Sequence, residues 1–222
     1  MLRRLVPLVL AACAVTGAPP LVVPNGTPPG AEAVRLEGLD GGRRGEVSFA
    51  GWTGEYRRRF RTRRTNRWDE QRFDGTFTLA GPAGRAVGIC AMREGLLDVP
   101  AALLGTVQVP IVSYVYDCEL EAGGRVGRLQ IGEVTTSAFD PAGDRRGVAW
   151  LEGGAALTVR SLHELEGAPV RSNAPYGYAL HEGERTVAVV DLTDARPVLR
   201  LAPGAGEAAE LAAFALAMLE TE

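Results

Sequence analysis

The chain has 222 residues, 46% of them hydrophobic, and a formal net charge of -3. That is enough apolar material for one domain with a core of ordinary size, and the near-neutral balance excludes the domain-wide positive field on which nucleic-acid binding rests. All 24 basic residues are arginine, a bias of composition that makes any single arginine run less informative than it would otherwise be.

The chain opens with Arg3 and Arg4, then eight mostly apolar residues, 5–12. Positive charge followed by a short apolar run is the layout of an export signal, and the run is too short to cross a bilayer, which takes about 20 apolar residues. It closes on Leu10, Ala11, Ala12 and Cys13. This tetrapeptide resembles the lipobox of bacterial lipoproteins. The resemblance implies cleavage before Cys13, lipidation of its thiol and acylation of the freed amino group. Two or more acyl chains anchor a protein stably where one alone is marginal. Ala14 is not acidic, which in such lipoproteins implies onward transport to an outer membrane. The alternative is an ordinary signal cut after Ala18, with Cys13 lost. Residues 13–32 hold Pro19, Pro20, Pro24, Pro28 and Pro29 and predict an extended tether of roughly 50–60 Å, with one domain over 33–222.

Twelve stretches then read as strands: 33–38, 46–50, 55–64, 75–80, 86–92, 112–120, 126–131, 147–151, 156–162, 176–180, 186–192 and 197–201. Gly-, Pro- and Asp-rich signals separate many of them, at 40–42, 73–75, 81–84, 122–124 and 181–183. Short strands at this spacing predict a mainly β fold, an antiparallel barrel or sandwich. The continuous apolar run 187–190 suits a strand buried on both faces. Residues 94–110 break the strand rhythm, and 100–104 read as a helical turn or two. The C-terminal stretch 207–220 is helical in composition, with Glu207 and Glu210 suited to its first turn. Residues 211–219 are apolar on every side, so the stretch predicts a helix buried against or inside the β-structure. Many strands followed by a buried C-terminal helix are loosely similar to tubby-like barrels; the resemblance concerns fold alone.

Candidate chemistry is sparse. With Cys13 assigned to lipid, Cys90 and Cys118 remain, and an even count in an exported chain predicts one disulfide. Cys118 falls on the apolar face of its strand with Val112, Tyr114, Tyr116 and Leu120. In the arginine-rich stretch 56–72, strand alternation puts Arg57, Arg59, Arg61 and Arg63 on one face, and Tyr56, Arg58, Phe60, Thr62 and Arg64 on the other. A row of guanidinium groups grips phosphate or carboxylate; the competing reading is a solvated face paired with Asp69, Glu70 and acids of neighbouring strands. With only His163 and His181, a three-histidine metal site is excluded. No nucleophile elbow, P-loop or dinucleotide fingerprint occurs. The expectation is a membrane-anchored envelope protein with a binding or structural role, without catalytic residues, cofactor or metal. Its partners would be the membrane and an anionic lipid or glycan, with no nucleic acid. The alternatives are an exported hydrolase with a dispersed site and a lipid-carrying barrel.

Overall fold

The computed structural model describes residues 19–65, 68–101, 105–134 and 143–220, with the backbone alone over 98–111; Cys13 and the signal lie outside them. Among these residues run twelve strands: β1 Glu32–Arg35, β2 Arg44–Phe49, β3 Trp52–Arg64, β4 Trp68–Gly81, β5 Gly84–Ala101, β6 Gly105–Ala122, β7 Arg125–Val134, β8 Asp144–Leu151, β9 Leu157–Leu162, β10 Gly177–Glu182, β11 Arg185–Asp191 and β12 Val198–Leu201. Each predicted strand has its counterpart. They form one antiparallel sheet in which every strand from β2 to β12 pairs with its neighbours in sequence, and β1 adds to β12. The two edges meet where Glu37 and Ser48 exchange backbone hydrogen bonds of 3.1 Å, so the sheet curls into a nearly closed barrel rather than a sandwich. Gly38 follows at this seam with φ 84°, and a side chain there would strike the Glu46 carbonyl. Only glycine tolerates both conditions.

Alternation sorts the wall into an outer and an inner face. Phe73, Phe77 and Leu79 of β4, Tyr114, Tyr116, Cys118 and Leu120 of β6, and Leu129 and Ile131 of β7 are buried inside. Cys90 and Cys118 sit directly opposite each other on β5 and β6 and are bonded as a disulfide. The α-helix α1, Glu207–Glu220, occupies the lumen. Its residues 211–219 are all buried, and partners reach it from all round the wall. Phe49 of β2 stacks on Phe214 at 5.0 Å and Phe77 of β4 meets the same ring edge-on at 5.1 Å. The Trp52 indole of β3 donates to Glu210 at 2.7 Å, and the Tyr116 hydroxyl of β6 donates to the Ala215 carbonyl at 2.7 Å.

Three expectations are corrected. The turn signal at 73–75 is mid-strand: Phe73 points in, Asp74 points out, and Gly75 is present because a Cβ there would lie 2.8 Å from Met218 of the helix and 2.6 Å from the Phe73 ring. Residues 94–110 are not a break or a helical turn in their described part, because β5 and β6 are both 18 residues long. β4 pairs with β5 only as far as Leu97, and β7 pairs with β6 only from Val115. Beyond those points each strand has one partner, so Pro100 and Pro110 need no ladder donor on a second side. Shifts in register flank Gly95. The tether, expected to residue 32, ends sooner. Leu21 bridges Leu165, and the Val22 amide donates to the Glu164 carbonyl at 2.9 Å. Leu21 and Val23 cover Leu162, Ala179 and Val189 on the outside of β9, β10 and β11, the last of which holds the run 187–190 read as buried on both faces.

The barrel has unlike ends. One closes in tight turns at 50–51, 82–83, 123–124 and 183–184; the other carries the longer connections, including 163–176. The C-terminus of α1 and the far halves of β3 to β6 lie at the long-loop end. Phe214 is the ring on which two wall strands converge. Phe214→Ala is therefore expected to cost about 3–5 kcal/mol in chemical denaturation with an unchanged m-value; a loss under about 1 kcal/mol would show that the helix is not packed in the lumen.

Candidate functional site

Two surfaces carry charge that the core does not require. The first is the outer face of β3. Arg57, Arg59, Arg61 and Arg63 are exposed, while Tyr56 and Arg58 are buried on the inner face, as alternation predicts. Across the wall, Arg61 stands opposite Arg72 of β4, and Arg72 opposite Arg93 of β5; Arg57 stands opposite Arg44 of β2. Like charges directly opposed in a sheet destabilise it. The compensation is partial. Arg61 reaches Asp74 at 3.6 Å, and Arg72 pairs with Glu70. Arg57, Arg59, Arg63 and Arg93 make no ion pair among the described residues, although Asp74 and Glu70 of β4 stand directly opposite Arg59 and Arg63, so acids on the neighbouring strand offset the row in part.

Arg58 has a different task. Its Nη1 donates to the Met218 carbonyl at 3.0 Å and its Nε to the Gly42 carbonyl at 2.8 Å. The last turn of α1 holds no basic residue of its own, so the wall supplies the cation that the helix C-terminus favours.

The second surface is the mouth of the barrel at that C-terminus. Arg145 of β8 donates to Glu220 at 2.6 Å and to the Tyr178 hydroxyl at 3.0 Å, and the same hydroxyl donates to Glu220 at 2.6 Å. The Arg145 guanidinium lies over the Tyr114 ring, 3.8 Å from its centroid. Burial works against the Arg145 charge, but Tyr178, Tyr114 and Glu220 outweigh it and hold the proton on. Burial pushes the Tyr178 and Tyr114 hydroxyls up, so both stay neutral. Burial likewise raises Glu94 of β5; Arg145 pulls it back, and Glu133 and Glu220 push it up. A depression of about 280 Å³ opens here between Phe60, Gln71, Met92, Glu94, Tyr114, Arg145, Leu219 and Glu220.

Sequence reasoning found the first surface and missed the second. Arg145 and Glu220 are 75 residues apart and meet only because the helix re-enters the barrel. One signal was available: Glu220 puts an acid at the end of an apolar helix, against its dipole, and calls for a cation from elsewhere. The histidines serve the scaffold. The His163 ring, buried and held neutral by that burial, donates from Nδ1 to the Ser172 carbonyl at 2.9 Å and accepts from the Ser161 hydroxyl at 2.8 Å. Among the described residues no group of three His, Cys, Asp or Glu side chains is placed to hold a metal ion, and no helix is long and apolar enough to cross a membrane. No protein-family model, curated protein or solved structure matches the chain.

The raised Glu94 carboxyl has a consequence for stability. Its neutral form is favoured by folding, so its contribution is complete at low pH and is lost as pH rises through the folded-state value. Glu94→Gln, which stays neutral, is expected to be more stable than the parent at pH 7.5 and indistinguishable from it below about pH 4. Denaturant titrations at the two pH values measure this; a parent protein that is the more stable at pH 7.5 would contradict it.

Proposed function

We propose that this protein is a lipid-anchored binding module of the bacterial cell envelope, which uses the outer arginine face of β3 to engage an anionic surface. The observation that carries this reading is the row of Arg57, Arg59, Arg61 and Arg63, exposed, largely without partners, and flanked by the like-charge pairs Arg61–Arg72 and Arg72–Arg93. A sheet that retains this repulsion gains from it when phosphate or carboxylate arrives in bidentate reach of several guanidinium groups. The occupied lumen supports the same reading, since α1 fills the volume that a lipid-carrying barrel would need.

The anchor adds a geometric constraint. With Cys13 lipidated, five residues separate it from Pro19, and the six steps between them span about 20 Å at most, far less than the tether expected from proline content. Pro20 accepts from the Glu166 amide, within the long connection between β9 and β10. The anchored segment thus enters at the long-loop end, towards which β3 carries Arg61 and Arg63. An anionic leaflet carrying the lipid, or a glycan lying against it, is within reach of that end, and each arginine near such a surface strengthens binding.

Two measurements test the proposal. Metabolic labelling with a palmitate analogue is expected to mark the parent protein and not Cys13→Ser; an unmarked parent removes the anchor. Cys13→Ser protein, free of lipid, is expected to bind phosphatidylglycerol vesicles and to ignore phosphatidylcholine ones. Replacing Arg57, Arg59, Arg61 and Arg63 together by Gln should weaken that binding at least tenfold and flatten its salt dependence; binding that survives the replacement removes the arginine face.

A further inference from the structure

The mouth of the barrel contains two polar groups that the fold leaves without partners. Glu94 is half-buried and makes no hydrogen bond or ion pair among the described residues. The Tyr114 side chain is 1% exposed; its hydroxyl lies beside that of Tyr178, short of hydrogen-bonding geometry, and meets no other partner among the described residues. Buried polar atoms are almost always satisfied, and each exception costs on the order of 1–3 kcal/mol. Both groups line one depression, and both are presented by an irregularity in the wall. Arg93 pairs with Val115 and Gly95 with Val112, so Ser113 and Tyr114 together face the single residue Glu94. Bulges of this kind re-aim side chains and recur beside functional sites.

The charge balance of the mouth indicates what would satisfy it. Among the described lining residues Arg145 is the one cation, and Glu220 pairs with it at 2.6 Å; Arg58, over the far side of Phe60, is engaged by the Met218 carbonyl. Glu94 feels the Arg145 charge but makes no ion pair among the described residues, and Glu133 and Glu220 oppose its ionisation. The rest of the lining is the Gln71 amide and an apolar and aromatic part: Phe60, which is 37% exposed, Met92 and Leu219. An anionic ligand would meet Glu94, Glu133 and Glu220. A neutral apolar one would leave the Glu94 carboxylate desolvated and unpaired. An ammonium group brings three donors and a positive charge, so it can donate to the Glu94 carboxylate and to the Tyr114 oxygen while its carbon chain lies against Phe60, Met92 and Leu219.

We propose that the mouth of the barrel is a binding site for a small organic ammonium, a primary amine carrying a short apolar or aromatic body, with Glu94 as its counter-ion and Tyr114 as its second acceptor. The volume of about 280 Å³ admits a body the size of one aromatic ring. The site lies on the inner face of the wall and does not use the arginine row, so it stands or falls apart from the envelope reading.

The test titrates the intact barrel with benzylammonium, benzyl alcohol and benzoate at pH 7.5, followed by amide chemical shifts and calorimetry. Benzylammonium is expected to bind saturably and to shift resonances of Gln71, Met92 and Leu219; the alcohol and benzoate are expected not to saturate. Glu94→Gln should weaken benzylammonium at least tenfold, and Tyr114→Phe, which keeps the ring under Arg145, about threefold. The far-ultraviolet circular dichroism of both variants should match the parent and separate lost binding from lost fold. Saturable binding of benzoate in preference to the amine, equal binding of the amine by Glu94→Gln, or no saturable binding of the amine would each overturn the proposal.

Discussion

An α-helix that is apolar on every side has no stable place at a surface. Residues 211–219 need a dry wall in all directions, and a sheet curled into a barrel needs something to fill its lumen. Each requirement answers the other. Phe214 wedges between Phe49 and Phe77, Gly75 makes room for Met218, and the Tyr116 hydroxyl meets the Ala215 carbonyl. Burying both helix ends then creates an electrostatic requirement that the wall also meets. Arg125 pairs with Glu207 and Trp52 with Glu210 at the N-terminus; Arg58 and Arg145 serve the C-terminus. The helix that completes the core is thus also what draws ionised groups to the mouth.

This arrangement sets where function can reside. Among the described residues α1 fills the lumen, and what is left is the outer wall and the two rims. The tight-turn rim is short and compact. At the long-loop rim the strands β3 to β6 run past their neighbours, the docked N-terminal segment begins, and the polar cluster around Arg145 opens. The arginine row climbs the outside of the same region. The outer face of β3 and the mouth differ in character: a row of exposed guanidinium groups on one, and in the other a half-buried carboxylate, Glu94, without an ion pair among the described residues.

Much of this was legible in the sequence because alternation is informative wherever one face of a strand is dry. Phe77 and Leu79, Tyr116 and Cys118, and Arg57 through Arg63 all fall on the faces that a period of two assigns them, and the disulfide between Cys90 and Cys118 joins the two cysteines left after Cys13. The same rule fails where both faces of a strand lie beyond the barrel, so the polar start of β4 and the far halves of β5 and β6 show no pattern to read. Gly75 was misleading for a related reason: a glycine that admits a helix from another part of the chain looks locally like a glycine in a turn. The prolines at 19–29 suggested a solvated tether, yet Leu21 and Val23 between them match an apolar patch on β9 to β11 that only the folded sheet assembles. The mouth cluster was illegible for the plainest reason, since Glu94, Tyr114, Arg145, Tyr178 and Glu220 come from five elements and have no local pattern.

The central claim is that helix and barrel form one cooperative unit, neither persisting without the other. Native-state hydrogen exchange measures this directly. The slowest amides of α1 are expected to open with the same free energy as those of β4, β6 and β10, and to respond equally to added denaturant. Helix amides that exchange through a lower-energy opening while the strands stay protected would contradict the claim, and would place α1 on the barrel rather than within it.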